Sequence, residues 1–189
     1  MIILASTSRY RRALLEAASI SHLAVAPRFD EDHTQPLPPE QLVVAFARAK
    51  AESIAADHPD AVIVGSDQIP ELDGQILTKP GNAETARAQL RALSGRTHRL
   101  LTAVAVHAQG RTESRLVVHH MHMRALTAAQ IDEYVARDQP FDCAGSYRVE
   151  AAGALLFEAM DGPDHTAIVG LPLTALASLC FAFGVDLLG

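Results

Sequence analysis

The stretch AVIVGSDQIPELDGQILTKP, residues 61–80, carries the signals that decide the fold. Its apolar start predicts a buried strand, and residues 72–75, LDGQ, contain the Asp-Gly pair typical of a hairpin turn. The strand is expected to end just before Asp67 and Gln68, and Lys79 follows the hairpin. These polar groups indicate either a solvated surface turn or a site for a negatively charged, metal-bound substrate.

The composition of the 189 residues predicts a soluble globular protein with one core. No apolar run approaches the roughly 20 residues that cross a bilayer, and the start MIILAST is expected to be a strand and not a signal peptide. The two cysteines lack metal-site spacing, which favours free thiols in the cytoplasm. A net charge of −6 argues against a nucleic-acid-binding surface. We expect a cytoplasmic chain that forms a single domain, residues 1–189, with two lobes and no separable linker.

Helix and strand patterns are mixed along the chain, with both crossovers and hairpins, which predicts an α/β or α+β fold on one mixed sheet. The predicted strands cover residues 2–5, 22–26, 61–64, 98–108, 114–122 and 154–157, and the predicted helices cover residues 9–18, 39–57, 83–93, 128–135 and 171–183.

Polar residues follow the first predicted strand in the stretch LASTSRYRR, residues 4–12. Ser6 and neighbouring hydroxyls, together with backbone N–H groups at a helix start, can hold a phosphate, and Arg11 or Arg12 could add a contact. A capped surface helix with solvated arginines would show the same pattern.

Three further groups of polar residues could each belong to a functional site or could be ordinary structural features. Asp67 could orient a divalent metal or deprotonate water, and Lys79 could neutralise a phosphate. Glu31 lies in the acidic loop FDED, where most carboxylates are simply solvated, whereas Lys50 lies beside the apolar side of its helix and could reach a pocket. Residues 94–104, SGRTHRLLTAV, could form part of a site or an ordinary helix-to-strand connection.

The histidines in HHMHM, residues 119–123, place His120 and His122 on one strand face, but no third ligand has recognisable metal spacing. The chain has no GxSxG, P-loop or GxGxxG motif, which argues against several hydrolase and nucleotide-binding classes.

The chain resembles the Maf-like nucleoside triphosphate pyrophosphatases over essentially its whole length. The blocks that carry this resemblance, in order, are LASTSRYRRALL, FDED, ARAKA, VIVGSDQ, TKP, SGRTHRLLTAVAV and CAGSYRVEAAGALLFEAMDGPDHTAIVGLPL. GSDQ and CAGSYRVE resemble the branch that hydrolyses 7-methyl-GTP, whereas the branch that acts on dTTP and UTP usually has Thr after the Asp.

The resemblance implies a fold like that of the inosine-triphosphate pyrophosphatases, with a long mixed sheet, flanking helices and a cleft between two lobes. It implies a divalent metal, Mg²⁺ or Mn²⁺, a nucleoside triphosphate substrate and a possible homodimer. By position, Asp67 would accept the proton of the attacking water and contact the metal together with Glu31. The residues implied for the triphosphate are Ser6, Arg11, Lys50 and Lys79, and those implied for substrate choice are Tyr10, Gln68 and Glu150.

The chemistry of 7-methylguanine suits these positions. Its delocalised positive charge would be attracted to the face of Tyr10, and Glu150 could accept hydrogen bonds from the guanine N1–H and amine. The branch usually has Ser-Pro-Trp-Arg where this chain has Ser8-Arg9-Tyr10-Arg11, and Tyr in place of Trp keeps an aromatic face but a weaker one. The same reaction on dTTP or UTP, and a non-catalytic nucleotide-binding regulator of cell division, are the two alternatives.

Overall fold

The computed structural model describes residues 1–188, which form an α/β fold on a sheet of seven strands. The strands are β1 (Ile2–Ala5), β2 (His22–Val25), β3 (Val62–Leu72), β4 (Gln75–Ile76), β5 (Thr97–Ala108), β6 (Arg111–Met123) and β7 (Phe157–Asp161). The helices are α1 (Arg9–Ala17), α2 (Pro39–Glu52), α3 (Ala83–Leu93), α4 (Ala128–Asp138), α5 (Thr166–Val169) and α6 (Leu173–Ala182). The strand order is β2-β1-β3-β5-β6-β7, and β4 pairs with β3.

The backbone divides into two compact units, and β3, β5 and β6 each contribute to both. The first unit contains residues 1–68, 102–117 and those from 164 onward, and the second contains residues 69–101 and 118–163. The prediction of one domain with two lobes stays a prediction.

In the first unit, β1 pairs in parallel with β2 and β3, and both faces of this sheet are covered. Leu4 and Val64 belong to the cluster that includes residues of α1 and α6, while Ile3 and Ile63 belong to the cluster that includes Ala51 of α2. Since alternate side chains of a strand point to opposite faces, a strand buried on both faces is apolar throughout. This explains the continuous apolar runs in β1 and at the start of β3.

Strand β3 is longer than the sequence indicates. The prediction that it ends before Asp67 is wrong, because the strand continues through Asp67 and Gln68 to Leu72. The hydroxyl of Ser66 lies 2.8 Å from the backbone oxygens of both Ala103 and Gly170 and has its one hydrogen to donate to this pair, so a polar side chain is satisfied inside the sheet. Asp67 and Gln68 therefore project from the middle of a strand, which is a more rigid support than a turn.

Gly65 brings helix α2 and strand β3 into close contact within the first unit. A Cβ atom at this position would lie 2.1 Å from the backbone oxygen of Ala47 and 2.8 Å from the nitrogen of Ala51. These distances are too short for any side chain, so only glycine allows the helix to lie at this distance from the strand.

The structure confirms four of the five predicted helix starts, those at residues 9, 39, 83 and 128. Ser8 and Asn82 are N-caps whose side chains accept hydrogen bonds from Arg11 N and Thr85 N, and Thr127 and Gln130 form a complete capping box. The Asp-Gly hairpin is also confirmed, since Asp73 and Gly74 have φ values of 51° and 83°.

Several predicted boundaries are wrong: β6 begins at Arg111 and not at residue 114, α4 ends at Asp138 and not at residue 135, and three further segments differ more. Helix α2 ends at Glu52 and is followed by a separate 3₁₀ turn at Ala55–Asp57, because Ile54 has a non-helical φ of −117°. The strand predicted at residues 154–157 is instead the end of a 3₁₀ segment, Ala152–Leu156, and the strand follows it as β7. The predicted helix 171–183 begins at Leu173, and the short helix α5 precedes it.

In the second unit, β7 pairs antiparallel with β6, and α3 packs against α4. Buried aromatic rings of His98, Tyr147 and Phe157 contact one another there, with a 2.8 Å hydrogen bond between His98 Nε2 and the Tyr147 hydroxyl. Among residues 1–188, no helix is both long enough and apolar enough to span a membrane.

Candidate active site

The candidate site of the first unit is centred on a buried ion pair between α2 and β3. Lys50 Nζ lies 2.6 Å from Asp67 Oδ1 and 2.5 Å from Glu31 Oε1. The side chains of Lys50 and Asp67 are 7% and 6% exposed, whereas that of Glu31 is 36% exposed. An ammonium group has three donors, and these contacts use two of them. Lys50 thus links two carboxylates and keeps one N–H for another partner.

The second oxygen of Asp67 has a different environment. Oδ2 is buried and has no hydrogen-bond partner among the described residues. Burial raises the pKa of the Asp67 carboxyl above its ordinary value, the Lys50 ammonium opposes this shift, and the charge of Glu31 adds to it. Because buried polar atoms are normally paired, this oxygen is a candidate for contact with a water, metal or substrate.

Arg11 and Ser6 lie together at the start of helix α1. Arg11 donates from Nε to the backbone oxygen of Gly170 at 2.8 Å and from NH1 to Ser6 Oγ at 3.3 Å, and Ser8 N also donates to Ser6 Oγ. Burial lowers the pKa of the Arg11 guanidinium, and the charges of Asp67 and Glu31 oppose this shift. Gly170 therefore positions Arg11, while Arg12, the alternative from the sequence, is exposed.

Gln68 is held by its amide nitrogen. Nε2 lies 2.7 Å from the backbone oxygen of Ala167, 3.0 Å from that of Ile168 and 3.0 Å from Thr102 Oγ1. Helix α5 and the adjacent strand β5 thus fix this side chain.

Asp164 organises the turn that supplies these backbone oxygens. Its Oδ1 accepts hydrogen bonds from the backbone and hydroxyl of Thr166, and its Oδ2 accepts two more from Thr174. Burial raises the pKa of Asp164, but the bonds from Thr166 and Thr174 outweigh it, so the pKa lies below its ordinary value. Asp164 therefore anchors the starts of α5 and α6 as an ionised group.

Tyr10 has a cation beside its ring. The Arg9 guanidinium carbon lies 4.7 Å from the ring centroid, and Arg9 NH2 donates to the Tyr10 hydroxyl at 2.6 Å. Arg9 is the residue that stands where the 7-methyl-GTP branch usually has Pro. Any cation that approaches Tyr10 meets a ring that already interacts with a guanidinium group.

Lys79 and Glu150 belong to the second unit, where both are exposed. Lys79 precedes the buried Pro80 in the connection between β4 and α3, and Glu150 lies in the turn before the 3₁₀ segment Ala152–Leu156. Their predicted roles stay predictions.

Two of the three histidines of β6 contact neighbouring residues, and the third is exposed. His122 lies 2.9 Å from both Thr97 Oγ1 and Asp161 Oδ2, His120 is exposed, and His119 is buried beside Gly162. Within residues 1–188, no group of three or more His, Cys, Asp or Glu side chains is arranged to hold a metal.

Comparison with known proteins identifies the family. Residues 1–183 match the family described as Maf-like protein. The chain belongs to the Maf-like family. A relative from Alkalilimnicola ehrlichii named 7-methyl-GTP pyrophosphatase is 45% identical over 190 residues, which is 100% of this chain and 96% of that protein. A relative of the same name from Bordetella avium is 42% identical, over 98% of this chain and 94% of that protein.

Among solved structures, the Staphylococcus aureus Ham1 protein is 15% identical, with a TM-score of 0.46 over 65% of this chain and 71% of that one. A nucleoside-triphosphatase / dITP/XTP pyrophosphatase from Mycobacterium abscessus is 16% identical, with a TM-score of 0.40 over 66% and 75% of the two chains.

In this Maf-like chain the structure brings together Ser6 with Arg11, and Glu31 with Lys50 and Asp67. The sequence analysis missed Asp164 and the backbone oxygens of residues 167, 168 and 170. A signal for Asp164, though not for the backbone oxygens, exists in DHTAIVGLP, because an Asp two residues before a Thr favours a capped turn, and the following Gly-Leu-Pro ends it.

Proposed function

We propose that this protein hydrolyses 7-methyl-GTP to the nucleoside monophosphate and pyrophosphate, with Asp67 as the group that accepts the proton of the attacking water. The observation that carries this proposal is the buried Asp67 carboxylate, which is held by Lys50 through one oxygen while its other oxygen has no partner among the described residues. The relatives that match nearly the whole chain and are named 7-methyl-GTP pyrophosphatase support the choice of substrate.

Asp67 is suited to proton transfer by its surroundings. Burial raises the pKa of its carboxyl, which makes the carboxylate a stronger base than a solvated aspartate, and the Lys50 ammonium stabilises the ionised form that must accept the proton. Removal of a general base typically slows a reaction by about 100-fold to 10,000-fold.

The residues present fit a divalent cation. Lys50 contacts the carboxylates of both Asp67 and Glu31, which brings the two acids close together, and carboxylate oxygens are ligands that Mg²⁺ and Mn²⁺ prefer. Mg²⁺ is commonly held by one or two carboxylates together with substrate phosphates, so two carboxylates suffice. When bound, the cation would neutralise negative charge that develops on the phosphate oxygens.

The triphosphate is assigned to the start of α1 and to two lysines. Ser6 and Arg11 already contact each other beside the N–H groups of that helix start, and these donors suit phosphate oxygens. The third N–H of Lys50 is available to the triphosphate as well, and Lys79 is assigned to the leaving pyrophosphate. The base is assigned to Tyr10, Gln68 and Glu150.

Pyrophosphate release from 7-methyl-GTP, GTP, UTP and dTTP, each with Mg²⁺ and with Mn²⁺, tests this proposal. We expect 7-methyl-GTP to be the preferred substrate and Asp67→Asn to lower kcat by about 100-fold or more. Asp60→Asn is the matched control, because Asp60 is an exposed aspartate of the same unit.

Two outcomes would contradict the proposal. A preference for UTP or dTTP would keep the reaction but overturn the roles of Tyr10 and Glu150. Tight nucleotide binding with no pyrophosphate release at any metal concentration would favour a non-catalytic regulator. A cytoplasmic location and pairing of two chains stay predictions.

A further inference from the structure

The amide group of Gln68 has a fixed orientation. Two of the three atoms that contact its terminal nitrogen are backbone oxygens, those of Ala167 and Ile168. A backbone oxygen only accepts hydrogen bonds, so the NH₂ end of the amide must face this pair and Oε1 must point the other way. In the reverse orientation, Oε1 would face the backbone oxygens of Ala167 and Ile168, and three oxygens would meet with no hydrogen between them.

Thr102 completes this arrangement. It is fully buried, and its hydroxyl lies 3.0 Å from the backbone oxygen of Ala167, to which it donates its one hydrogen. The hydroxyl oxygen is then left as an acceptor for Gln68 Nε2 at 3.0 Å. The nitrogen of Gln68 carries two hydrogens and meets three acceptors, so one hydrogen is shared, and Thr102 is the acceptor that a substitution can remove.

The other end of the amide is available to a ligand. Gln68 is only partly buried, and no described residue donates a hydrogen bond to its Oε1. An amide that could rotate would offer either a donor or an acceptor to a nucleobase, whereas this amide offers an acceptor alone.

We propose that Thr102 is a positioning residue that fixes Gln68 so that its Oε1 accepts a hydrogen bond from the exocyclic amine of guanine. This inference rests on the proposed function. Guanine and uracil both carry one ring N–H on their pairing edges, so that group cannot separate them. The amine is the additional donor of guanine, and an acceptor with fixed orientation favours the base that has it.

The test compares 7-methyl-GTP with 7-methyl-ITP, which lacks only the exocyclic amine. For the wild-type protein, we expect kcat/KM to fall about tenfold when the amine is removed, because Oε1 is left unpaired. We expect Thr102→Val to reduce this preference at least about threefold, as coupled groups do in double-mutant cycles, and Thr102→Ser, which keeps the hydroxyl, to restore it.

A purely structural role for Thr102 gives a different result. Loss of stability or of active protein would lower the rates on both nucleotides by the same factor and leave their ratio unchanged. Thr112→Val is the matched control, since Thr112 lies in the first unit and bonds His107 instead of the site. Gln68→Leu provides a second variant that should reduce the preference even if Thr102→Val does not fold.

A binding measurement separates recognition from turnover. In the Asp67→Asn background, calorimetry should show tighter binding of 7-methyl-GTP than of 7-methyl-ITP. The added Thr102→Val change should bring the dissociation constants of the two nucleotides closer together. Equal preference for the amine in the wild-type protein, Thr102→Val and Gln68→Leu would overturn this inference while leaving the proposed function intact. Failure of the wild-type protein to hydrolyse 7-methyl-GTP would instead contradict the proposed function itself.

Discussion

Lys50 Nζ lies 2.6 Å from Asp67 Oδ1, in a contact where both side chains are almost completely buried. Buried ion pairs add little to stability, because the cost of removing two charges from water offsets their attraction. The presence of this buried pair is therefore better explained by a role in the reaction than by a contribution to the stability of the fold. The ammonium keeps Asp67 ionised at a depth where a lone carboxylate would tend to bind a proton.

Replacement of Lys50 should change how activity depends on pH. The active form of Asp67 is the carboxylate, so activity is lost as pH falls through its pKa, which burial places above the ordinary 3.8. Lys50→Met removes the charge that opposes this shift, so the pKa should rise further and the acid limb of kcat/KM should move to higher pH. Lys50→Arg, which keeps a cation, should move it less.

The measurement is kcat/KM for 7-methyl-GTP between pH 5 and 9. Arg48→Met is the control, because Arg48 lies on the same helix but contacts Glu52 and the backbone oxygen of Thr112. An acid limb that stays in place in Lys50→Met would show that Lys50 does not act through Asp67.

The sequence contained enough information to predict most of the fold. Helix starts follow from side chains that bond to nearby backbone, as at Ser8, Asn82 and Thr127, and such local signals do not depend on the rest of the chain. The prediction from sequence failed where contacts with residues far away in the chain determine where an element ends. Strand β3 continues beyond Gly65 because the hydroxyl of Ser66 is satisfied by backbone oxygens 37 and 104 positions away.

The sequence indicated several side chains of the candidate site but none of its backbone groups. The acids and cations were recognisable through the family resemblance, and the structure brings Glu31, Lys50 and Asp67 together. The oxygens of residues 167, 168 and 170 carry no sequence signature, since every residue has one. Their contribution depends on the turn that Asp164 holds, which only the three-dimensional arrangement reveals.

Arg9 should compete with a methylated guanine for Tyr10. The guanidinium carbon lies 4.7 Å from the ring centroid, and a second cation at the same ring would be repelled by the first. Arg9→Ala should therefore raise the ratio of kcat/KM for 7-methyl-GTP to that for GTP by about twofold to fivefold, in line with an exposed cation–π contact.

GTP provides the internal control for Arg9, because loss of a positive charge weakens attraction of both triphosphates equally. Tyr10→Ala should lower the same ratio, and Tyr10→Phe should preserve it, since the ring face remains. If Tyr10→Ala lowered activity on both nucleotides by one factor, the ring would not recognise the methylated base.

Gly65→Ala should destabilise the protein through the packing of α2 on β3. The added Cβ would lie 2.1 Å from the backbone oxygen of Ala47, so the helix must move away from the strand. We expect a loss of about 1–3 kcal/mol in the free energy of unfolding, as is typical of overpacking. Since Lys50 is on α2 and Asp67 is on β3, kcat should fall as well.

Gly74→Asn serves as the control for Gly65, because Gly74 has nothing within 4 Å of an added Cβ and Asn tolerates its φ of 83°. Urea unfolding measures the free energy of unfolding of both variants and of the wild-type protein. Equal stability of Gly65→Ala and the wild-type protein would mean that α2 shifts without cost.

His98 should make the protein less stable in mild acid. Burial, followed by the charge of His122, lowers the pKa of His98 from 6.5 to about 4. Below pH 6.5 the unfolded chain therefore binds a proton that the folded chain does not, so stability is complete above 6.5 and declines as pH falls towards 4. The loss from this residue is at most about 3 kcal/mol.

Urea unfolding at pH 7, 6, 5 and 4.5 measures this loss. His98→Gln cannot gain a proton, so its free energy of unfolding should decline less steeply with falling pH than that of the wild-type protein, although it starts lower because the packing against Tyr147 is altered. His165→Gln, at an exposed position, should keep the wild-type slope. Parallel slopes for His98→Gln and the wild-type protein would show that His98 is protonated as readily in the folded chain as in the unfolded one.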